Sequence, residues 1–135
     1  SRRHDNTKAH ADQRVDTPSS IARMIAEAVL LSREAPLGSL ALQLAEAEPL
    51  EYAAVMGTYV ADIVPGLSDF WVDQLRRAKD RGAITADLDI EVAAEWVIRA
   101  VVSLVGIPGR VVDADDRDSL VEFLETYLSP AFRST

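Results

Sequence analysis

The stretch from Gln74 to Trp96, QLRRAKDRGAITADLDIEVAAEW, decides the fold of this chain. Basic residues crowd its first half, and positive charge is favourable beside the exposed carbonyls at the C-terminus of a helix. Gly82 follows, and we expect it to adopt the left-handed conformation that closes the helix. Asp87 and Asp89 follow as candidate N-caps of a second helix. The stretch therefore predicts two helices that are joined by a tight connection and pack as an antiparallel pair.

Similar signals extend over the rest of the chain. Pro18 predicts the start of a first helix with Thr17 as its cap, and Pro36 opens a second. Pro65-Gly66 is predicted to break or kink an apolar third helix, because proline lacks a backbone donor and clashes with the preceding turn. The predicted helices cover residues 18–34, 36–47, 50–64, 67–82, 91–106 and 115–128. Since the sequence contains no strand-like alternation, we predict an all-α bundle of about five to six helices.

Composition limits the class of protein. The chain has 135 residues, of which 48% are hydrophobic, and this is enough for one domain with a buried core. It contains no cysteine, which excludes disulfides and thiolate metal sites. The longest apolar run, residues 92–105, is interrupted by charged residues and is shorter than the ~20 residues that a bilayer span requires. We therefore expect a cytoplasmic protein without a membrane segment.

The charge is strongly acidic and unevenly placed. A formal net charge of −8 argues that this chain does not by itself hold the phosphate backbone of a nucleic acid. Residues 1–15 nevertheless carry a net charge of +2. Residues 1–17 also contain both histidines, His4 and His10, and little to bury. We interpret them as a polar basic leader, either a linker or the remnant of an upstream element, and residues 18–132 as the folded domain.

Metal binding and catalysis find little support in the sequence. Aspartates at positions 113, 115, 116 and 118 resemble a calcium loop, but Arg117 stands where an oxygen ligand is needed and the later glutamate is out of register. Acids at a helix start are expected from the helix dipole alone. The body of the chain lacks histidine, a glycine-rich phosphate loop and a nucleophile elbow. We predict no metal, no cofactor and no enzymatic activity.

The segment 91–106 has two apolar sides. At about 100° per residue, its polar residues form one narrow stripe, and roughly 240° of the helix surface is apolar. A helix that faces a single core needs only ~100°, so a second copy of the chain is expected to cover one side. The sequence does not decide which side. The candidates for this dimer interface are Ala94, Val97, Ile98, Val101, Val105, Leu120, Phe123, Leu124 and Tyr127.

Aromatic and methionine residues are candidates for a ligand pocket. Such side chains combine apolar bulk with a hydroxyl, an indole or a thioether, which suits a pocket for an apolar molecule and equally suits a plain core. The pocket candidates are Met24, Tyr52, Met56, Tyr59, Phe70, Trp71, Trp96 and Arg99.

The segment RRAKDRGAITADLDIEVAAEWVIRAVVSL, residues 76–104, resembles the C-terminal regulatory domain of TetR-family transcriptional regulators. Ala78, Arg81 and Gly82 match the Ala-x-x-Arg-Gly pattern that closes a helix in that family, and Leu88-Asp89 matches the turn that follows. The resemblance implies that the last two helices form a four-helix dimer interface and that the preceding helices enclose an effector pocket. It also implies an N-terminal helix-turn-helix domain, which we expect to be absent from this chain.

The function implied by the resemblance is the effector-binding and dimerisation core of a TetR-like transcriptional repressor. Its expected partners are a second copy of itself, a small apolar or amphipathic effector, and DNA only through the missing domain. Two alternatives stay open: an oligomerisation module with a filled core and no ligand, and a helical enzyme that uses a carboxylate pair. A cavity of roughly 300 Å³ or more would favour the effector.

Overall fold

Helices form nearly all of the part of the chain that the computed structural model describes, residues 18–107 and 109–133. They are α1 (Pro18–Glu34), α2 (Pro36–Ala47), α3 (Pro49–Asp62), α4 (Val64–Asp80), α5 (Ile90–Gly106) and α6 (Arg117–Phe132). These described residues include no strand, and the predicted all-α bundle of five to six helices is confirmed. The proposed leader, with its histidines and the Thr17 cap, lies outside the described residues.

The end of α4 has the hydrogen bonds of a Schellman cap. Gly82 adopts a φ of +74°, in the left-handed region that glycine favours. Its N–H donates to the Lys79 carbonyl at 3.0 Å, and the Ala83 N–H donates to the Ala78 carbonyl at 2.9 Å. This 5→2 and 6→1 pairing satisfies two carbonyls that the helix itself leaves unpaired. The predicted helix end at Gly82 is therefore confirmed.

Aspartates cap the starts of α5 and α6. The Asp89 carboxylate accepts a hydrogen bond from the Val92 backbone N–H at 3.2 Å, so Asp89 rather than Asp87 is the cap. The Asp116 carboxylate accepts from both the hydroxyl and the backbone N–H of Ser119. These hydrogen bonds lower the pKa of Asp116 below its ordinary value. The last helix consequently starts after Asp116 rather than at residue 115.

Pro65 lies in the first turn of α4 instead of inside the break. The helix before it ends at Asp62, and Ile63 alone separates the two helices, with φ −99° and ψ −43°. Proline suits a first turn because the N–H that it lacks would have no partner within the helix. The predicted helix break therefore lies at Ile63, slightly ahead of the predicted Pro65-Gly66.

The core is built around α1. This helix packs most extensively against α6 and also contacts α2 and α5, while α4 packs along α5, and α3 packs on α2 and α4. The largest fully buried side chains are Ile21, Ile25, Val29, Trp71, Leu75, Ile84, Val97, Val101, Val105, Leu120, Leu124 and Leu128. No helix in the described ranges is both long and apolar enough to cross a membrane.

Most of the predicted dimer-interface residues belong to this core. Ala94, Val97, Ile98, Val101, Val105, Leu120 and Leu124 are each at most 7% exposed in a single chain. Side chains that one chain already covers are not available to a surface between copies, so this packing gives no support for placing these seven at an interface. Of the candidates, only Phe123, half-buried, and Tyr127, 67% exposed, reach the surface.

Candidate functional site

Two clefts separate the predicted pocket residues. Cleft A, about 920 Å³, lies between α1, α4 and α6, and cleft B, about 640 Å³, lies between α3, α4 and α5. The eight candidates are distributed as follows: Met24, Phe70 and Trp71 line cleft A, Tyr52, Met56 and Arg99 line cleft B, and Tyr59 and Trp96 line neither. The single predicted pocket is therefore two sites.

Two adjacent sides of α4 produce this division. Val64 and Ser68, four residues apart, face cleft B, whereas Phe70, Trp71 and Gln74 face cleft A. Residues that share a helix face are three or four apart, so Phe70 cannot face the same space as Ser68. The helix separates the aromatic pair of α4 from the tyrosine and methionine of α3.

Cleft A has a charged rim. Its charged lining residues are Arg23, Glu27, Arg77, Arg81, Arg117, Asp118, Glu122 and Glu125. Several are already paired: the Arg117 guanidinium binds Glu27, with 3.1 Å between Nη2 and Oε2, and Arg77 Nε lies 3.1 Å from an Asp73 oxygen. Small-molecule sites are mostly apolar with a few convergent polar groups. Cleft A has eight charged lining residues where cleft B has three, so a ligand in cleft A would meet more charged groups, several of which already have partners.

Cleft B is amphipathic. The narrow polar stripe of α5 lines it, namely Glu91, Glu95, Arg99, Ser103 and Gly106. The other lining residues are almost all apolar: Tyr52, Met56, Val60, Val64, Ile98, Val102 and Ile107, with Ser68 as one more polar group. Arg99 Nε lies 3.6 Å from Glu95 Oε2, and both side chains are mostly exposed. A cleft with this lining suits a small amphipathic molecule.

One end of cleft B is formed by the C-terminus of α5. The Tyr52 hydroxyl donates a hydrogen bond to the Gly106 carbonyl, which is among the last carbonyls of the helix. Gly106 is also tightly packed, since a Cβ at this position would lie 2.6 Å from Met56 Cε. Tyr52 and Met56 thus join the apolar wall of cleft B directly to the end of α5.

A buried arginine holds the same helix end from another element. Arg33 of α1 has a side chain only 8% exposed, and its Nη1 donates to the carbonyls of Leu104 and Val105 at 3.1 and 3.3 Å. Its Nε and Nη2 donate to the Asp115 carboxylate at 2.9 and 3.2 Å. We call this group the Arg33 clamp. It connects α1, the end of α5 and the segment before α6.

The clamp predicts a pH dependence of stability. The hydrogen bond from Arg33, opposed in part by desolvation, lowers the pKa of Asp115. A lowered pKa in the folded state means that the stabilisation is complete above the unfolded pKa, about 3.9, and is lost as pH falls through the folded value. Urea unfolding of Asp115→Asn and the unsubstituted protein should therefore differ most near neutral pH and converge as the pH falls through the lowered pKa of Asp115. A difference that grows on acidification would contradict this assignment.

Two buried polar atoms have no hydrogen-bond partner in the described part of the chain, the Tyr59 hydroxyl and Trp71 Nε1. An unpaired buried hydroxyl costs on the order of 1–3 kcal/mol. Tyr59→Phe should therefore raise the free energy of unfolding, by about 1 kcal/mol. Urea denaturation measures the change, and Tyr127→Phe, on an exposed tyrosine, is the matched control with an expected change near zero. Destabilisation by Tyr59→Phe would show that the hydroxyl has a partner after all.

Apolar side chains of α5 and α6 that are exposed or half-buried form a third feature, which we call the outer face: Val92, Trp96, Ala100, Leu104, Phe123 and Tyr127. Val92 is 64% exposed and Trp96 is 41% exposed. A shallow groove of about 270 Å³ runs between the two helices and contains Trp96 and Tyr127. This side of α5 is the second apolar side that the sequence predicted, and Val92 and Trp96 on it are exposed in a single chain.

Comparisons of this chain with known protein families, with curated proteins and with solved structures found no match. Within residues 18–107 and 109–133, no group of three or more histidine, aspartate or glutamate side chains is arranged to hold a metal ion.

Proposed function

We propose that this chain is the effector-binding and dimerisation domain of a TetR-like transcriptional repressor, with DNA binding assigned to a domain outside it. Cleft B is the observation that carries the proposal. Its volume of about 640 Å³ lies within the range of small-molecule sites, and its walls combine apolar surface with a few polar groups. The effector is a small amphipathic molecule, and no catalytic step is assigned to the chain.

The contacts at the end of α5 support a route from effector to DNA. A molecule in cleft B touches Tyr52 and Met56, which contact Gly106, and the neighbouring carbonyls of α5 are bound by Arg33 of α1. A shift of Tyr52 or Met56 on ligand binding is therefore transmitted through the end of α5 to α1, the helix that follows residues 1–17 in the sequence. Regulation requires that the effector bind one arrangement of these helices more tightly than another, because equal affinity shifts nothing.

A ligand screen with a cleft-filling variant tests the effector site. Amphipathic compounds that bind only the folded state should raise the melting temperature by an amount that grows with the logarithm of their concentration above Kd. Val60→Trp adds bulk at a 49% exposed position of cleft B and should abolish the response, whereas Leu50→Trp, at an 83% exposed position of the same helix outside the cleft, should preserve it. A screen in which no compound stabilises the protein, or in which both variants respond alike, would refute the site.

Dimerisation is assigned to the outer face. Its exposed aromatic residues resemble the anchors that dominate protein interfaces, and a charge placed among them would be buried without a partner in the dimer. Trp96→Glu and Tyr127→Glu should each convert a dimer into a folded monomer in sedimentation equilibrium. Val111→Glu, at a position that is 97% exposed and lies away from this face, should leave the dimer intact. A monomeric parent protein, or dimers unaffected by both variants, would contradict the proposal.

The outer face also favours one alternative, a helical oligomerisation module without a ligand. That module would show the same response to Trp96→Glu but no stabilisation by any compound in the screen. The DNA-binding assignment has a separate test, because the coding sequence upstream of Ser1 should contain a helix-turn-helix region. Its absence would rule out the regulator and leave the module.

A further inference from the structure

The charges along cleft B identify the chemical class of its ligand. We propose that cleft B binds an elongated amphiphile with a cationic head group, an inference that rests on the effector function proposed above. The head group lies against Glu91 and Glu95, and the apolar tail runs along α5 towards Tyr52 and Met56.

The shape of the cleft supports an elongated ligand. Its lining on α5 extends from Glu91 to Gly106. At 1.5 Å per residue, these two positions are about 22 Å apart along the helix axis. The carboxylates occupy one end of this length, and the packed methionine, tyrosine and glycine occupy the other. A molecule with a charged head and a linear apolar tail matches that arrangement better than a compact one.

The sign of the head group follows from the pairing of the charged residues. Arg99 is the only cation among the lining residues, and Glu95, at 3.6 Å, already offsets its charge. No ion pair or hydrogen bond joins the Glu91 carboxylate to another described residue. The lining therefore carries one uncompensated negative charge, on a chain whose formal net charge is −8. A cation at this end is attracted by Glu91 without displacing an existing ion pair, whereas an anion would have to compete with Glu95 for Arg99.

The chemistry of the apolar end agrees with an alkyl tail. Met56 is an adaptable thioether, and Val60, Val64 and Val102 present only carbon surface. The hydroxyl of Tyr52 is already bound to the Gly106 carbonyl and offers no free donor for a second charged group. A ligand with charge at both ends would leave one of its charges against carbon, which is costly.

Three probes that share one tail separate the head-group classes. Isothermal titration calorimetry with decyltrimethylammonium, decanoate and 1-decanol compares a cation, an anion and a neutral polar group. The two ionic probes are kept below their micelle concentrations and 1-decanol below its solubility limit. We expect decyltrimethylammonium to bind most tightly. Glu91→Gln should weaken its binding about fivefold and leave that of 1-decanol unchanged, because the loss is one partly exposed charge interaction. Arg99→Gln should strengthen or preserve binding of the cation.

The site is verified with the variants already described. Val60→Trp should abolish binding of decyltrimethylammonium, and Leu50→Trp should not. Circular dichroism of each complex should retain the helical signal, which separates specific binding from denaturation by the surfactant.

Two outcomes would overturn the inference in different ways. If decanoate or 1-decanol binds at least as tightly as the cation and is blocked by Val60→Trp, the head-group class is wrong but the proposed effector site stands. If none of the three probes binds, or if Val60→Trp affects none of them, both the class and the site in cleft B are lost.

Discussion

Replacing Arg33 with methionine is expected to lower the free energy of unfolding by about 3 kcal/mol. The side chain is 92% inaccessible, and its guanidinium supplies the partners of the Leu104 and Val105 carbonyls. Methionine fills part of the same volume but donates no hydrogen bond. Two carbonyls at the end of α5 then lose their partner, and each costs on the order of 1–3 kcal/mol when it is buried and unpaired. The loss should reduce the melting temperature by roughly 10 °C.

Arg117 provides the matched control for this prediction. Like Arg33, it forms two hydrogen bonds to one carboxylate, that of Glu27, but its side chain is 61% exposed. Exposed ion pairs contribute about 1 kcal/mol at most, because water competes for both charges. Arg117→Met should therefore change urea unfolding only slightly. Equal destabilisation by the two substitutions would mean that burial of the clamp is not what makes Arg33 important.

Local signals predicted the helices well because they act between residues that are close in the sequence. The Schellman cap at Gly82 requires only that one residue can adopt a positive φ after a helical run. The Asp89 cap needs a carboxylate three residues before a free backbone N–H. Both features are complete within one or two turns, so they can be predicted without knowledge of the packing.

The clamp was not predictable for the opposite reason. Arg33 and Asp115 are 82 residues apart in the sequence, and the position of each can be explained by its own helix without a contact between them. An arginine in the last turn of a helix and an aspartate near the start of another both fit the helix dipole. Only the packing of α1 against α5 and α6 shows that this arginine is buried and that the aspartate is its partner.

The candidate site was predicted in part. The polar stripe on α5, from Glu91 to Gly106, was visible in the sequence, and it lines cleft B completely. Its other walls come from α3 and α4, and a helical wheel gives the direction of a side chain without identifying the helix that it meets. For the same reason, Met24, Phe70 and Trp71 were assigned to the wrong neighbours, although their apolar character was judged correctly.

Val101→Glu is the second substitution with a large expected effect, and it tests which apolar side of α5 faces the core. Val101 is 2% exposed, so the variant must bury a carboxylate without a partner or unfold. We expect a loss of more than about 4 kcal/mol, a large share of the 5–15 kcal/mol that stabilises a typical domain. The variant should lose its cooperative urea transition and much of its helical circular dichroism.

The same chemical change on an exposed valine supplies the comparison. Val111→Glu, at a position 97% exposed, should unfold like the parent protein. Trp96→Glu introduces a charge on the other side of α5 and should remain folded while losing self-association. The sequence alone does not distinguish the two apolar sides of α5, but these variants would: a charge on the Val101 side would abolish folding, and a charge on the Trp96 side would abolish dimerisation. If Val101→Glu folded normally and Trp96→Glu did not, α5 would be rotated relative to its packing in this structure, and cleft B would lose its polar wall.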